Sequence, residues 1–566
     1  MRRLCWFLTA ALAGCAPGAL SGGPDAPDPA GPDAGGPGSP PGNPPGMPGD
    51  PPEVPPMMPP PDVEELPDYE PAPATLYRLT RAQYQNCLRD LLGAVDVPAD
   101  LEADTPLHGF ASVGASELTV SPRAAEQLEA AAFAVAGQVF GDAERRQALV
   151  GCDLGEAGCV DDFLRRFGRL AWRRPLSGEE VGELSALYAE LLRTLRDPWR
   201  AAEFTVATVL QSPWFVFRVE RGEGVEGQRR YSDVEMASRL SFLIWNSAPD
   251  DALLAAAERG ELATPAGLET QARRLLADDR AREAMRHFFG EFFLLDRLDG
   301  LTKDRDVFPQ MSPTLGAAMR REVEAMIDDV VFGRDADLRS LLTTRDTFLD
   351  AELAALYGLP PVEGPGHQPV HLPPDNPRGG LLGTAGILAL NAHNTVTSPT
   401  LRGKFIQNTL LCFDIPPPPP GIPQLSDSED GPETTRQKLE RHRSDPSCNG
   451  CHQFMDPLGV SLENFDAIGA FRTTEAGLAI DARAVFEGQT FEGPRQLGEL
   501  LREREEIGAC FARRFFRHGM GHLESEAEER AVRDLIDAFR ASDHRFQALV
   551  VALVTSDAFR LVGEDE

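Results

Sequence analysis

Cys448, Cys451 and His452 belong to the pentapeptide Cys-Asn-Gly-Cys-His, whose residue types and spacing suit the covalent attachment of a c-type haem. In that chemistry two thiols add to the vinyl groups of the porphyrin, and the adjacent imidazole becomes the proximal ligand of the iron. The pattern therefore predicts one covalent haem c bound by Cys448, Cys451 and His452.

A C-x-x-C pair also has two other uses, and the sequence leaves both open. The thiols of Cys448 and Cys451 can form a small redox disulfide, or they can supply half of a zinc site. A closed zinc site normally takes four protein ligands, so it requires two more side chains from elsewhere in the chain.

The first fifteen residues have the pattern of a bacterial export signal. Arg2 and Arg3 form a short positive region, Leu4 to Leu12 form an apolar run, and Leu12-Ala13-Gly14-Cys15 matches a lipobox. We expect residues 1–14 to be cleaved and Cys15 to be lipidated, which would make the mature chain an outer-membrane lipoprotein facing the periplasm or the cell surface. An ordinary secretory signal, cleaved elsewhere, is the alternative. Because c-type haem is attached outside the bacterial cytoplasm, export agrees with the pentapeptide.

Residues 15–74 have the composition of a disordered Pro/Gly/Asp-rich tether. They contain 21 of the 49 prolines, ten acidic residues and no lysine or arginine. Such a segment has too little apolar surface to fold, and its prolines keep it extended. The body that follows has 53 basic and 78 acidic residues, a net charge of -25. This charge argues against nucleic acid or an anionic membrane face as the main partner.

The body is long enough for several cores, and its apolar periodicity predicts a mainly α, multidomain helical array. Thr80 and Ser121 are predicted helix caps, and Ser177 and Ser232 each stand three residues before a glutamate as in a capping box. Strand-like alternation is scarce, and short strands are expected near Pro369 to Leu372 and between Ile480 and Phe491. Breaks in composition divide the body into a small helical module (75–140), a helical module (141–200), a larger helical module (228–362), a haem-motif module (378–476) and a C-terminal helical module (480–562).

The segment Cys448 to Arg472, CNGCHQFMDPLGVSLENFDAIGAFR, resembles the haem-motif segment of a family of exported multidomain proteins from planctomycete-type and myxobacterial genomes. The modules of that family are the domains of unknown function 1587, 1595, 1592, 1588 and 1585. Further segments resemble the same modules in order: LTRAQYQNCLRDLLG (Leu79 to Gly93), FLRRFGRLAWRRPLSGEE (Phe163 to Glu180), SRLSFLIWNSAPDDALL (Ser238 to Leu254), LYGLP (Leu356 to Pro360), TSPTLRGKF (Thr397 to Phe405) and LLCFDIPPPPP (Leu410 to Pro420).

This resemblance implies an exported protein with a small cytochrome-c-like haem module near its carboxyl end, and it implies no particular reaction or substrate. The last module departs from the family pattern. Where the family typically has a motif like Ala-Leu-Gly-Arg, this chain has Phe516 to His522, which includes two histidines and Met520.

The sixth ligand of the iron would separate electron carriers from haem enzymes. A sulfur ligand raises the reduction potential, a second imidazole lowers it, and an open position lets the iron bind peroxide or dioxygen. The candidates are Met520, then His393, and also His518 and His522; for each of them a surface position or a hydrogen-bonded place in the core is the favoured alternative. Met455 follows His452 too closely to cross to the opposite face of the same haem.

Polar residues after the pentapeptide have two interpretations each. Asp456 to Gly459 is predicted to be a turn. Glu463 and Asp466 suit acid/base chemistry or a hydrogen bond to a propionate or to the proximal imidazole, but they also suit turns and helix caps. Arg472 suits binding of a haem propionate, and a surface salt bridge is the alternative.

The other cysteines fit an oxidising compartment. Cys152 and Cys159 are close enough in sequence for a local disulfide, and Cys412 and Cys510 are candidates for a bridge between the haem-motif module and the last one. Cys87, on an apolar helical face, is expected to be a buried thiol.

The sequence lacks the phosphate-binding loop, the dinucleotide-binding glycine motif, the nucleophile elbow and the H-E-x-x-H motif. Nucleotide chemistry and common hydrolase mechanisms are therefore unsupported. The sequence predicts a lipid-anchored c-type haem protein that transfers electrons outside the cytoplasm and acts on a redox partner protein or an extracellular substrate. A haem oxidase or peroxidase with an open distal site, or a tethered scaffold protein without haem, are the alternatives.

Overall fold

Helices form most of the chain in the computed structural model, which describes residues 66–225, 228–416 and 431–563. Within those ranges the backbone forms 23 α-helices and ten short strands. The strands join only as antiparallel pairs, so no large sheet organises the described residues. This confirms the predicted mainly α, multidomain class. The signal sequence and most of the predicted tether lie outside the described residues.

Seven of the first eight helices share one hydrophobic core, in which Leu88 and Val206 are fully buried, and the short helix that contains Val113 packs into a second core instead. Three of these helices begin at predicted caps, because Thr80, Ser121 and Ser177 each accept a backbone N–H from the first turn. The helices are α1 (Arg81–Leu92), α2 (Ala111–Glu117), α3 (Pro122–Gly141), α4 (Ala143–Val150), α5 (Cys159–Ala171), α6 (Gly178–Leu195), α7 (Pro198–Gln211) and α8 (Pro213–Val216).

The next six helices begin a second, larger core. Ser232 caps the first of them, and the side chain of Glu235 returns a bond to the backbone of Ser232, as the capping-box spacing predicts. The helices are α9 (Asp233–Trp245), α10 (Asp251–Glu258), α11 (Pro265–Leu276), α12 (Asp279–Phe292), α13 (Leu315–Asp328) and α14 (Ala351–Leu356).

Eight of the nine further helices contribute to this core, and the ninth is the helix that contains Leu439. The pentapeptide lies on one of the nine. The helices are α15 (Ala385–Leu390), α16 (Pro399–Phe405), α17 (Thr435–Arg443), α18 (Pro446–Val460), α19 (Gly493–Arg502), α20 (Glu505–Met520), α21 (Glu529–Ala541), α22 (Phe546–Thr555) and α23 (Asp557–Arg560). Both predicted strand regions contain strands.

The ten strands pair as β1 with β2, β3 with β4, β5 with β6, β7 with β8 and β9 with β10. The first pair joins distant parts of the chain, because Tyr77 lies opposite Arg218. The strands are β1 (Leu76–Arg78), β2 (Phe217–Val219), β3 (Glu223–Val225), β4 (Gln228–Arg230), β5 (Asp346–Leu349), β6 (Gln368–His371), β7 (Thr474–Glu475), β8 (Leu478–Ala479), β9 (Arg483–Phe486) and β10 (Gln489–Glu492).

The predicted turn from Asp456 to Gly459 is wrong, because these residues continue α18 and Pro457 lies inside that helix. Proline and glycine normally interrupt helices, but here tertiary packing outweighs that preference. Helix α18 crosses α16 at two glycines. A Cβ on Gly459 would stand 1.8 Å from the carbonyl oxygen of Pro399, and a Cβ on Gly403 would stand 1.9 Å from that of Met455. The two backbones meet at a separation that only glycine allows.

Candidate haem-attachment site

The two thiols and the imidazole of the pentapeptide lie on one face of α18. Cys451 and His452 follow Cys448 by three and four residues, and in a helix these spacings place side chains side by side. Cys451 is exposed, Cys448 is half-buried, and the His452 side chain is 20% exposed. Neither cysteine is part of a disulfide. The helix therefore presents two thiols and one imidazole together at the protein surface.

His452 is oriented by a buried carboxylate one helical turn further on. Its Nδ1 donates to Asp456, with both carboxylate oxygens 3.1 Å away, and the Asp456 side chain is fully buried. The hydroxyl of Thr400, on α16, donates to the same carboxylate at 2.9 Å. With Nδ1 occupied in this way, Nε2 is the ring nitrogen left for a metal ligand bond.

A second buried group holds the segment that follows α18. The guanidinium of Arg402 donates to the carbonyl oxygens of Leu462, Phe465 and Asp466 at 2.8 to 2.9 Å, and it pairs with Glu463 at 3.2 Å. Burial lowers the pKa of Arg402 to about 10 and raises the pKa of Glu463 above its ordinary value. Helix α16 thus supports α18 through Thr400. It supports the segment that follows α18 through Arg402.

The other polar residues predicted near the haem motif have protein partners. Arg472 pairs with Glu463 at 3.2 Å and with Glu475 at 3.7 Å. Asp466 accepts the backbone N–H groups of Ile468 and Ala470 at 2.9 and 2.8 Å. A propionate-binding role for Arg472 stays a prediction.

The candidates for the sixth ligand lie in different parts of the fold. Met520 is buried at the end of α20, where its sulfur is 3.8 Å from a guanidinium nitrogen of Arg239 and its carbonyl oxygen accepts from Tyr77. His518 and His522 pair with glutamates rather than with each other, at 3.5 and 2.9 Å. Met455 is buried within α18 itself.

His393 lies on an exposed turn that Lys303 holds in place. The ammonium group of Lys303 donates to the carbonyl oxygens of Ala389, Ala392 and His393, each at 2.9 Å. Burial lowers the pKa of Lys303 to about 8. The same turn continues to Thr397, whose hydroxyl donates to Glu463 at 2.8 Å. A ligand role for His393 or Met520 stays a prediction.

Sequence reasoning missed three residues around His452. Asp456 accepts from Nδ1 of His452, and Thr400 donates to that carboxylate. His442 of α17 packs its ring edge-on to that of His452, with 4.9 Å between the centroids. The spacing of four between His452 and Asp456 would have indicated a contact if the segment had been recognised as helical.

The remaining cysteines form two disulfides and one buried thiol. Cys152 is bonded to Cys159, and Cys412 is bonded to Cys510. These are the two pairings considered from the sequence. The second bond connects the segment before α17 with α20, and Cys87 is the buried thiol.

The described residues offer neither a clustered metal site nor a membrane-spanning helix. Among the residues that the structure describes, no three or more His, Cys, Asp or Glu side chains are grouped to hold a metal ion. A c-type haem needs only one or two axial ligands from the protein, so that result does not address it. No helix in the described ranges is long and apolar enough to cross a membrane.

Five family models match the chain in series, each described as a protein of unknown function. DUF1587 matches residues 77–141, DUF1595 matches 159–220, DUF1592 matches 231–359, DUF1588 matches 378–475 and DUF1585 matches 487–559. The chain belongs to the family of multidomain proteins that carry this series, which is known in cytochrome-c-like planctomycete proteins. The pentapeptide lies in the DUF1588 match. No curated protein and no solved structure matches the chain.

The residues around the pentapeptide fit the chemistry of a covalent haem. Cys448 and Cys451 are thiols on one face, as thioether formation requires, and His452 has one ring nitrogen left for iron. Apolar surface lies beside them. Phe413 is 41% exposed, and its ring centroid is 5.9 Å from that of Phe454 on α18. A flat apolar macrocycle attached here has aromatic surface to cover.

Proposed function

We propose that this protein is an exported, lipid-anchored electron-transfer protein that carries one covalent haem c on α18. The observation that carries the proposal is the shared face of Cys448, Cys451 and His452, with Nδ1 of the histidine held by Asp456. The family series supports it because the pentapeptide lies inside the DUF1588 match. The lipobox at Cys15 and the tether support attachment to a membrane through lipid.

Each residue has a stated role in this proposal. Cys448 and Cys451 would form the thioether bonds, and His452 would supply a nitrogen ligand to the iron. Asp456 keeps the imidazole in one tautomer and one orientation, and Thr400 fixes that carboxylate. When bound, a haem exchanges single electrons, and a redox partner protein or an extracellular substrate is the proposed donor or acceptor.

The carboxylate on His452 also favours a second candidate function, a haem oxidase or peroxidase. A carboxylate that accepts from Nδ1 raises the basicity of the ligating nitrogen, and a more basic axial ligand assists chemistry at an open opposite position. The first candidate requires a strong sixth ligand and the second requires an open or weakly held one.

The experiment uses the full chain, exported in a host that matures c-type cytochromes. We expect the purified protein to show the α band of a c-type pyridine haemochrome and to keep haem on a denaturing gel. The double variant Cys448→Ser/Cys451→Ser should lose covalent haem. The control Cys87→Ala, which removes the buried thiol outside the pentapeptide, should retain it.

The same spectra decide between the candidates. A colourless wild-type protein would overturn both haem functions and leave a tethered scaffold protein. Covalent haem retained by the double serine variant would overturn attachment through Cys448 and Cys451. A six-coordinate low-spin spectrum that cyanide and peroxide leave unchanged supports electron transfer. A spectrum that shifts on cyanide addition supports the oxidase or peroxidase.

A further inference from the structure

We propose that Asp456 is a positioning residue that lowers the reduction potential of the haem bound through His452. This inference rests on the proposed haem and goes beyond it, because it names a residue that sets the reduction potential of that haem. Two independent contacts support it: the bond from His452 to Asp456 and the bond from Thr400 to the same carboxylate.

The carboxylate of Asp456 is held in one position by its partners. Both of its oxygens are 3.1 Å from Nδ1 of His452, and the side chain is fully buried between α16 and α18. The Thr400 hydroxyl donates to Oδ1 at 2.9 Å. The backbones of the same two helices are in close contact at Gly403 and Gly459, on either side of Asp456 along α18 and Thr400 along α16. The hydrogen bond to His452 is therefore a built feature of the helix pair.

The Asp456 carboxylate is a charged acceptor for Nδ1 of His452. A carboxylate that accepts the Nδ1 proton draws that proton toward itself, so Nε2 donates more electron density to a metal than it does when Nδ1 faces a neutral acceptor. Water is excluded from Asp456, so its negative charge is weakly screened from a neighbouring metal. Both effects stabilise ferric iron relative to ferrous iron.

A lowered potential makes the haem a weaker electron acceptor and a stronger electron donor than it would be with a neutral group at position 456. A hydrogen bond to the ligand of the iron is one of the ways by which proteins set haem potentials. The structure assigns that role to Asp456, with Thr400 as its support.

The test measures the haem potential by spectroelectrochemical titration of the purified, full-length exported protein. In Asp456→Asn the side chain keeps its shape and loses its charge. We expect the ratio of ferrous to ferric protein at a fixed applied potential to rise about tenfold, which is a positive shift of about 59 mV for one electron. Asp456→Glu, which restores the carboxylate, should move the potential back toward that of the wild type.

A matched control and the haem content separate the possible failures. Asp414→Asn removes an exposed acid of the same module, and it should leave the potential unchanged. An unchanged potential in Asp456→Asn with normal haem content overturns this inference and leaves the proposed function standing. Loss of haem from both Asp456 variants also overturns it, because the residue would then serve assembly. A wild-type protein without haem overturns the proposed function itself.

Discussion

Arg402 is the residue on which the backbone after the pentapeptide helix most depends. Its guanidinium is almost fully buried, and it binds three carbonyl oxygens and the carboxylate of Glu463. Removing one partner of a buried ion pair leaves the other charge uncompensated. In this chain that charge would be Glu463, which would keep Arg472 and Thr397 as its partners.

We therefore predict that Arg402→Met lowers the free energy of unfolding by about 3–5 kcal/mol. Scanning calorimetry of the purified protein checks this, together with Arg402→Met/Glu463→Gln, which should recover part of the loss because it removes the buried charge that Arg402 no longer neutralises. The control is Arg273→Met, which breaks an exposed pair with Glu269 and should cost less than about 1 kcal/mol. Equal losses in the buried and the exposed variant would contradict the role assigned to Arg402.

At the level of elements, a buried hydrogen-bond chain connects α13, α14 and α15. Glu322 of α13 is fully buried and accepts from the hydroxyl of Thr347 at 2.6 Å and from that of Tyr357 at 2.7 Å. The Tyr357 oxygen in turn accepts the backbone N–H of Ala385 at 2.8 Å. These hydrogen bonds thus join the DUF1592 match to the DUF1588 match that carries the pentapeptide.

Burial of the carboxyl raises the pKa of Glu322 from 4.5 to about 7. The folded state therefore favours the protonated form. Its stabilising contribution is complete below pH 4.5, where Glu322 is protonated in both states, and is lost as the pH rises through 7. A difference of this size corresponds to roughly 3 kcal/mol.

We predict that Glu322→Gln flattens the dependence of the melting temperature on pH between 5 and 7.5, because the neutral amide cannot ionise. Calorimetric melts of the two proteins across this range check the prediction. Glu363→Gln removes an exposed carboxyl and should retain the slope of the wild type. Parallel curves for wild type and Glu322→Gln would show that Glu322 does not account for the slope.

Local signals predicted the elements better than they predicted the contacts between them. The caps at Thr80 and Ser177 were correct because a cap needs only the residues of its own first turn. The bond from Thr400 to Asp456 spans 56 residues and that from Tyr357 to Glu322 spans 35, so no local pattern contains either. The turn predicted at Asp456 failed for the same reason, because a distant helix stabilises α18 through Pro457.

At the scale of the whole molecule, the five family matches are not separate units in contact only along the chain. Phe288 of the DUF1592 match lies against Phe110 of DUF1587 and against Phe515 and Phe546 of DUF1585, with ring centroids 5.3 to 5.8 Å apart. Composition located the modules but had no means of showing this shared aromatic core. A substitution that disrupts packing in one of these matched segments should therefore also lower the stability of the others.

The net charge of the whole chain shapes what can hold it to a membrane. The body after the tether has a net charge of -25, so an anionic lipid surface repels it, and the tether has no basic residue to offset this. Membrane attachment then depends on the lipid proposed at Cys15. Electrostatic binding would weaken in high salt, but anchoring by acyl chains would persist.

We predict that Cys15→Ser moves the exported protein from the membrane fraction to the soluble fraction, while wild type stays with membranes through a high-salt wash. Fractionation followed by immunoblotting measures this, and metabolic labelling with a fatty acid reports acylation directly. Cys5→Ser is the matched control, because Cys5 lies in the segment that cleavage before Cys15 removes. Retention of Cys15→Ser in salt-washed membranes would contradict the lipid anchor, since the acidic body offers lipid no electrostatic attraction of its own.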